Sequence, residues 1–394
     1  VKPSSDGGGG GDALGGASQA GNGFDAAGGE LTTDGGSDPA GAAGATGGSS
    51  DAAGAAGTIG GSSDAGAAGT AGTGMGGAGS GNDGAGEAGS SGAGESAGAG
   101  GTAGGTSTPM WTMSAGKYQL SLGSTFLEID PANGARITAL RVGGPSGGNL
   151  VADATVTGDA DNWGSTFWPS PQTWPWPPTA ANSIGAINTL PYSVALDATA
   201  NTLTLTSAVN AAVPRLQVIK KFSADAAKEA IQIDYTVKNA GSAAVTTAPW
   251  EVTRVPPGGI TFYPPFAEPF YQPGAPTLTT TDLAGVTWYQ HVATDNKIKM
   301  FADGKDGWIA HAEGDLLLIK TFPDITQSQA ATNEAEIEIY AAPTYVEMET
   351  QGAVQTLAKG ESLHWTVRWY ARKLVAPAAI GSADLVAYVQ NQIK

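Results

Sequence analysis

Few groups in this chain could move a proton at neutral pH. There are three histidines, His291, His311 and His364, and no cysteine. His291 sits in WYQHV and His311 in WIAHA, each beside aromatic residues in a segment that reads as a strand. Either could act as a general acid opposite a carboxylate, and either could equally be a core histidine spent on a hydrogen bond. His364, in LHWTVRW just after a turn, reads as structural or exposed. The facing carboxylates would come from EAEIEIY, residues 334–340, where Glu334, Glu336, Glu338 and Tyr340 share one side of a period-two pattern. Glu336 and Glu338 would stand about 7 Å apart along a strand. That spacing allows paired-carboxylate chemistry or cation coordination, and a solvated strand face is the plain alternative. No compact Asp/Glu/Asn loop with calcium spacing is present and there are no thiolates, so neither metal nor cofactor is expected.

Groups suited to binding are more concentrated. Asp161 to Pro178 reads DNWGSTFWPSPQTWPWPP and holds Trp163, Trp168, Trp174 and Trp176, four of the ten tryptophans, with five prolines and no Lys, Arg or Glu. Prolines forbid a helix here and interrupt sheet pairing, so the stretch reads as a rigid loop. Its indoles either plug a core or form a platform, and a flat, amphipathic indole suits the C–H face of a sugar ring. Gln172, inside the same stretch, could donate to and accept from hydroxyls. Glu251 interrupts the apolar run PWEV, and a buried carboxylate needs a partner; Arg254, three residues on, is the fork-shaped candidate. The two read as a structural salt bridge or as a grip on sugar hydroxyls.

The elements that must position these groups are strands. Ile231, Ile233, Tyr235 and Val237 alternate with Gln232, Asp234 and Thr236, the pattern of a half-buried strand. Similar runs occur at 118–129, 135–142, 192–196, 202–207, 216–222 and 243–252, and again between 285 and 322, at 345–350 and at 364–370. Turn residues such as DPANG, DATAN, NAGS, PPGG and KGES separate them. Only about 379–393 reads as helix. The pattern predicts an all-β fold, one large antiparallel two-sheet sandwich over 108–394.

Residues 1–107 differ in kind. They are nearly all Gly, Ala, Ser, Thr and Asp, with Phe24 as the one aromatic. Such a segment lacks the apolar surface to offset chain entropy and is expected to be a disordered low-complexity spacer. It carries 11 acids and one base, against 25 acids and 18 bases in the rest, for a formal net charge of −17 overall. With no basic patch, a nucleic-acid partner is not expected. No 18-residue apolar run exists, so no transmembrane segment is expected. The leader's composition, starting at Val1, fits an exported, extracellular or cell-surface protein with a lipid anchor upstream.

Several segments carry a resemblance. RITALRVGG, WGSTFWPSPQ, PWEVTRVPPGG, DGWIAH, EIEIYAAPTYVEMETQG and LAKGESLHWTVRWY together resemble the bacterial DUF4380 family, which looks like a galactose mutarotase-like β-supersandwich. DPANGARITAL also resembles the strand–turn–strand opening of aldose epimerases. The resemblance covers roughly residues 117–370. It implies that fold and a carbohydrate ligand, mono- or polysaccharide. Mutarotases pair a histidine acid with a glutamate base; here Glu338 fits the glutamate best, with Glu336 before it, and Glu347 and Glu349 fit an ELE-like triplet. The expected function is therefore a surface-held carbohydrate-binding protein. The alternatives are a carbohydrate-active enzyme on the same fold (an epimerase, lyase or hydrolase) and a structural or adhesive surface protein.

Overall fold

The structure, a computed structural model, describes residues 109–178, 184–212 and 214–394. The reading of 1–107 as a spacer lies outside the described residues. The rest is the large antiparallel β-supersandwich expected, built from an 11-stranded and a 10-stranded sheet.

The first sheet runs, in spatial order, Met110–Ser114, Lys117–Leu122, Thr125–Asp130, Arg136–Val142, Ser165–Ser170, Val245–Val255, Tyr345–Gln351, Ile337–Ala342 and Ile298–Ala302, with two short strands at its side. The second runs Thr280–Leu283, Val286–Gln290, Ile260–Tyr263, Trp308–Glu313, Leu316–Thr321, Ser362–Lys373, Ala230–Asn239, Leu216–Asp225, Thr202–Thr206 and Ser193–Asp197. Alternation decides which side chains meet between the sheets. In Ala230–Asn239, Ile231, Ile233, Tyr235 and Val237 enter the core while Gln232 and Asp234 stay half-buried on the outer face. The core between the sheets gathers Leu127, Phe167, Phe222, Ile339, Met348 and Trp369.

The C-terminal helix, Ala383–Ile393, covers part of the second sheet's outer face. Ser382 caps it by accepting from the Leu385 amide, and Leu385, Val386 and Val389 pack on Phe262, Trp308, Ile319 and Tyr370. No helix among the described residues is long and apolar enough to cross a membrane.

The first sheet departs from simple alternation. Ser165–Ser170, Ile337–Ala342 and Tyr345–Gln351 are buried at every position. EAEIEIY is thus no solvated face; Glu336 and Glu338 are 1% and 0% exposed. The strand itself starts at Ile337, leaving Glu334 and Glu336 ahead of it. One face of these strands meets the second sheet, and the other carries a layer of polar and aromatic side chains under the proline-rich stretch.

Candidate functional site

Strand register lays this second layer out in rows. Trp168 lies opposite Trp250, which lies opposite Gln351; Thr166, Val252, Glu349, Glu338 and Phe301 form the next row. Arg254, Glu347, Tyr340 and Lys299 form the third. Side chains two residues apart share a face, so three adjacent strands bring their odd or even positions together here.

Two ionic centres anchor the layer. Arg254 donates from Nε to Glu347 Oε1 at 2.7 Å, from Nη1 to Thr166 Oγ1 at 2.8 Å and from Nη2 to Asn162 Oδ1 at 2.9 Å. Its guanidinium also stands 4.9 Å from the Trp168 ring centre. Asn162 is brought there by a loop that pairs with the Arg254 backbone on both sides: the Arg254 amide donates to the Gly164 carbonyl and the Ala152 amide to the Arg254 carbonyl. Gly164 has φ +67, and a Cβ there would lie 2.6 Å from the Ile137 carbonyl oxygen, so only glycine fits. The second centre is Lys299, whose Nζ reaches Glu338 Oε2 at 2.6 Å and Glu349 Oε2 at 3.0 Å; Trp250 Nε1 donates to the same Glu349 oxygen at 2.8 Å. The ammonium also lies 4.8 Å from the Trp250 ring centre.

Burial raises the Glu338 carboxyl well above the usual carboxylate range; Lys299 pulls it down, and Glu334 and Glu349 push it up. Burial likewise pushes Glu347 up to about 7, against the pull of Arg254. Burial alone would lower Lys299, but Glu338 and Glu349 outweigh it and shift it upward. Carboxyls shifted upward by burial in this way are common at sites of proton transfer.

The layer also holds polar atoms with nothing to bond. Glu349 Oε1, Gln351 Oε1, Gln172 Oε1 and Ser170 Oγ are buried and have no hydrogen-bond partner among the described residues. Gln351 Nε2 donates to Glu338 Oε1 at 2.8 Å, and the Gln172 backbone N–H donates to Glu334 Oε1 at 3.3 Å. Native proteins leave few buried polar atoms unpaired, so four in one layer mark it as the candidate site.

The proline-rich stretch splits. Trp168 and Trp174 are buried, Trp176 is half-buried, and the three meet edge to face or tilted at 5.4 to 6.2 Å, with Trp250 5.2 Å from Trp168. Trp176 also packs on Ala152, Tyr340, Ala342 and Tyr345. Trp168 is fixed by donating from Nε1 to Asn188 Oδ1 at 2.7 Å. Trp163 goes elsewhere, covering the Arg136 guanidinium at 4.4 Å.

The pairing of Glu251 with Arg254 does not form. Three residues apart on one strand, they point to opposite faces. Glu251 instead lies between the sheets, where it accepts from Tyr235 Oη and Trp369 Nε1 and pairs with Lys320 at 2.8 Å. The histidines also stand apart from the carboxylates named with them. His291 accepts at Nδ1 from the Gly258 amide and donates from Nε2 to the Ala342 carbonyl, both at 2.9 Å, four residues along the strand from Glu338. His311 faces the core between the sheets and bonds Thr261 at 2.9 Å; burial lowers it to about 3. Glu336 accepts from the Gly304 and Ile325 amides at 3.1 and 2.8 Å, off the grid. Of the site residues expected, Glu338, Trp168, Gln172, Trp174, Trp176 and Arg254 thus come together.

Sequence reasoning missed Lys299, Tyr340 and Gln351. The period-two run Glu347, Glu349, Gln351 carried a signal, since three polar residues alternate with Val346, Met348 and Thr350. Among the described residues, no cluster of His, Asp and Glu is arranged to hold a metal ion.

No protein-family profile matches the sequence, and no curated protein matches it. Among solved structures, the chain is similar to a galactose mutarotase-like protein from Clostridium acetobutylicum, with 11% identity and a TM-score of 0.48 over 68% of this chain and 99% of that one. A galactose mutarotase-like protein from Lactobacillus casei gives 12% identity and a TM-score of 0.47 over 65% of this chain and 100% of that one. A TPR-domain containing protein from Parabacteroides distasonis gives 13% identity and a TM-score of 0.47 over 68% of this chain; this chain spans 48% of its length. These likenesses concern the arrangement of strands and say nothing of a ligand.

Proposed function

We propose that this protein binds neutral carbohydrate on the outer layer of its first sheet, between Trp176 and the row Glu349–Glu338. One observation carries the reading: four buried oxygen atoms, on Glu349, Gln351, Gln172 and Ser170, have no partner among the described residues and lie in a layer walled by indoles. Sugar hydroxyls donate to such oxygens while the ring's C–H face rests on an indole. Arg254 and Lys299 are already paired with Glu347, Glu338 and Glu349, so the layer has no spare positive charge for an anionic ligand. The glycine- and alanine-rich first 107 residues have the composition of a spacer, in keeping with a surface-held binding protein.

The test is a panel of neutral mono- and oligosaccharides titrated calorimetrically into the full chain and its Trp176→Ala and Glu349→Gln variants. At least one neutral sugar should bind, and both variants should weaken it by about tenfold or more. A panel with no binder, or one bound equally by both variants, rejects the reading. Surface location is tested separately, by whether protease added to intact cells degrades the protein.

A second reading is favoured by the raised Glu338 and Glu347 carboxyls. A protonated acid and a carboxylate in one layer could interconvert sugar anomers by general acid–base catalysis without a histidine. Anomer exchange followed by NMR, lost in Glu338→Gln while sugar still binds, would support it; no acceleration by the parent protein would end it.

A further inference from the structure

A cavity opens on the outer face of the second sheet, away from the first sheet's polar layer. It encloses about 610 Å³, within the range of small-molecule sites. Its floor is a cross-strand trio: Arg368 lies opposite Gln232 on one side and opposite Thr321 on the other. Thr366, Phe322 and Asp306 stand in its wall.

Arg368 is half-buried, and its guanidinium has no hydrogen-bond or ion-pair partner among the described residues. In a chain with a net charge of −17 that is notable, because carboxylates are plentiful. The nearest one on its own face is Asp234, opposite Thr366. Asp234 is engaged already: Gln232 Nε2 donates to both its oxygens at 3.1 Å, and Thr366 Oγ1 donates at 2.6 Å. These bonds hold Asp234 in place and leave Arg368 on the cavity floor, where its charge acts on the Tyr370 phenol. The Asp306 carboxylate, exposed on the cavity wall, likewise has no partner among the described residues. Arg368 and Asp306 therefore line one cavity with opposite charges and do not touch.

We propose that this cavity is a binding site for a small monocarboxylate that carries hydrogen-bond donors at its other end, such as a sugar acid. Arg368 takes the carboxylate in its fork, the geometry a guanidinium matches best. Asp306 takes the hydroxyl donors, and Thr366, whose own proton is spent on Asp234, can accept a further one. Asp306 disfavours a dianion such as phosphate, and the arginine disfavours a cation.

The experiment is calorimetric titration of the full chain with galacturonate, galactose, acetate and inorganic phosphate. Galacturonate should bind more tightly than acetate and phosphate, and more tightly than galactose in the Trp176→Ala protein, where the other site is impaired. Arg368→Gln should weaken it by about tenfold or more, and Asp306→Asn should weaken it measurably. Trp176→Ala, at the other site, should leave it unchanged. The proposal is overturned if galacturonate does not bind, if acetate or phosphate binds as tightly, if galactose binds the Trp176→Ala protein as tightly, or if Arg368→Gln binds like the parent. It is also overturned if Trp176→Ala alone removes binding. Should Arg368→Gln fail to fold, the parent decides: binding that does not weaken as sodium chloride is raised overturns the site.

Discussion

Trp168 and Trp176 come from one proline-rich stretch but stand differently in the structure. Trp168 is 2% exposed and hydrogen-bonded to Asn188, whereas Trp176 is half-buried over Tyr340 and Tyr345. Trp168→Ala should cost about 3–5 kcal/mol of stability. Trp176→Ala should cost roughly half of that or less, because less of its ring leaves water on folding. Urea unfolding of the two variants checks this; equal losses would make Trp176 a core residue. Glu336 gives a pH prediction. Burial pushes its carboxyl up to about 8, with Asp324 and Asp303 adding to the rise and the Ile325 and Gly304 amides opposing it. The folded chain then holds that proton more tightly than the unfolded chain, whose carboxyl has its ordinary value of 4.5. This contribution is complete below about 4.5 and is lost as pH rises toward 8. Glu336→Gln stays neutral, so its stability relative to the parent should improve across that window. Parallel stability curves for the two proteins would show that Glu336 does not hold the proton.

At the scale of elements, the loop that carries Asn162 to Arg254 depends on Gly164. Gly164→Ala places a methyl 2.6 Å from the Ile137 carbonyl at a left-handed backbone position. It should destabilise the protein by about 1–3 kcal/mol or more and weaken sugar binding together with it. Urea midpoints and titrations on one preparation test both effects. The strands themselves were legible. Ala230–Asn239 follows the alternation of its residues, and Ser382 marks the start of the C-terminal helix. The face assignment of EAEIEIY was not legible, because period two separates two sides without saying which is covered. Lys299 gave no signal for a similar reason. NKIKMF places Lys297 and Lys299 on the same side of the chain, yet Lys297 is exposed while Lys299 turns in against Glu338 and Glu349. Parity alone could have separated Glu251 from Arg254, since an odd spacing on a strand sends side chains to opposite faces.

At the scale of the whole molecule, the described residues stand as two antiparallel sheets with little helix. Far-UV circular dichroism of the domain should accordingly be dominated by sheet. The first 107 residues lack core-forming side chains, so removing them should leave the thermal midpoint nearly unchanged. A drop of several degrees would mean that they pack on the sandwich.

The strand Tyr345–Gln351 carries a consequence for how this protein can change over generations. It interleaves two inscriptions: Val346 and Met348 belong to the core, and Glu347, Glu349 and Gln351 to the outer polar layer. Substitutions can rewrite one inscription and leave the other intact, so a lineage can alter the outer layer by replacing odd-numbered residues alone. A single-residue insertion or deletion cannot, because it trades every letter of one for the other and drives glutamates between the sheets. Descendants should therefore diverge at positions 347, 349 and 351 and keep the strand's length.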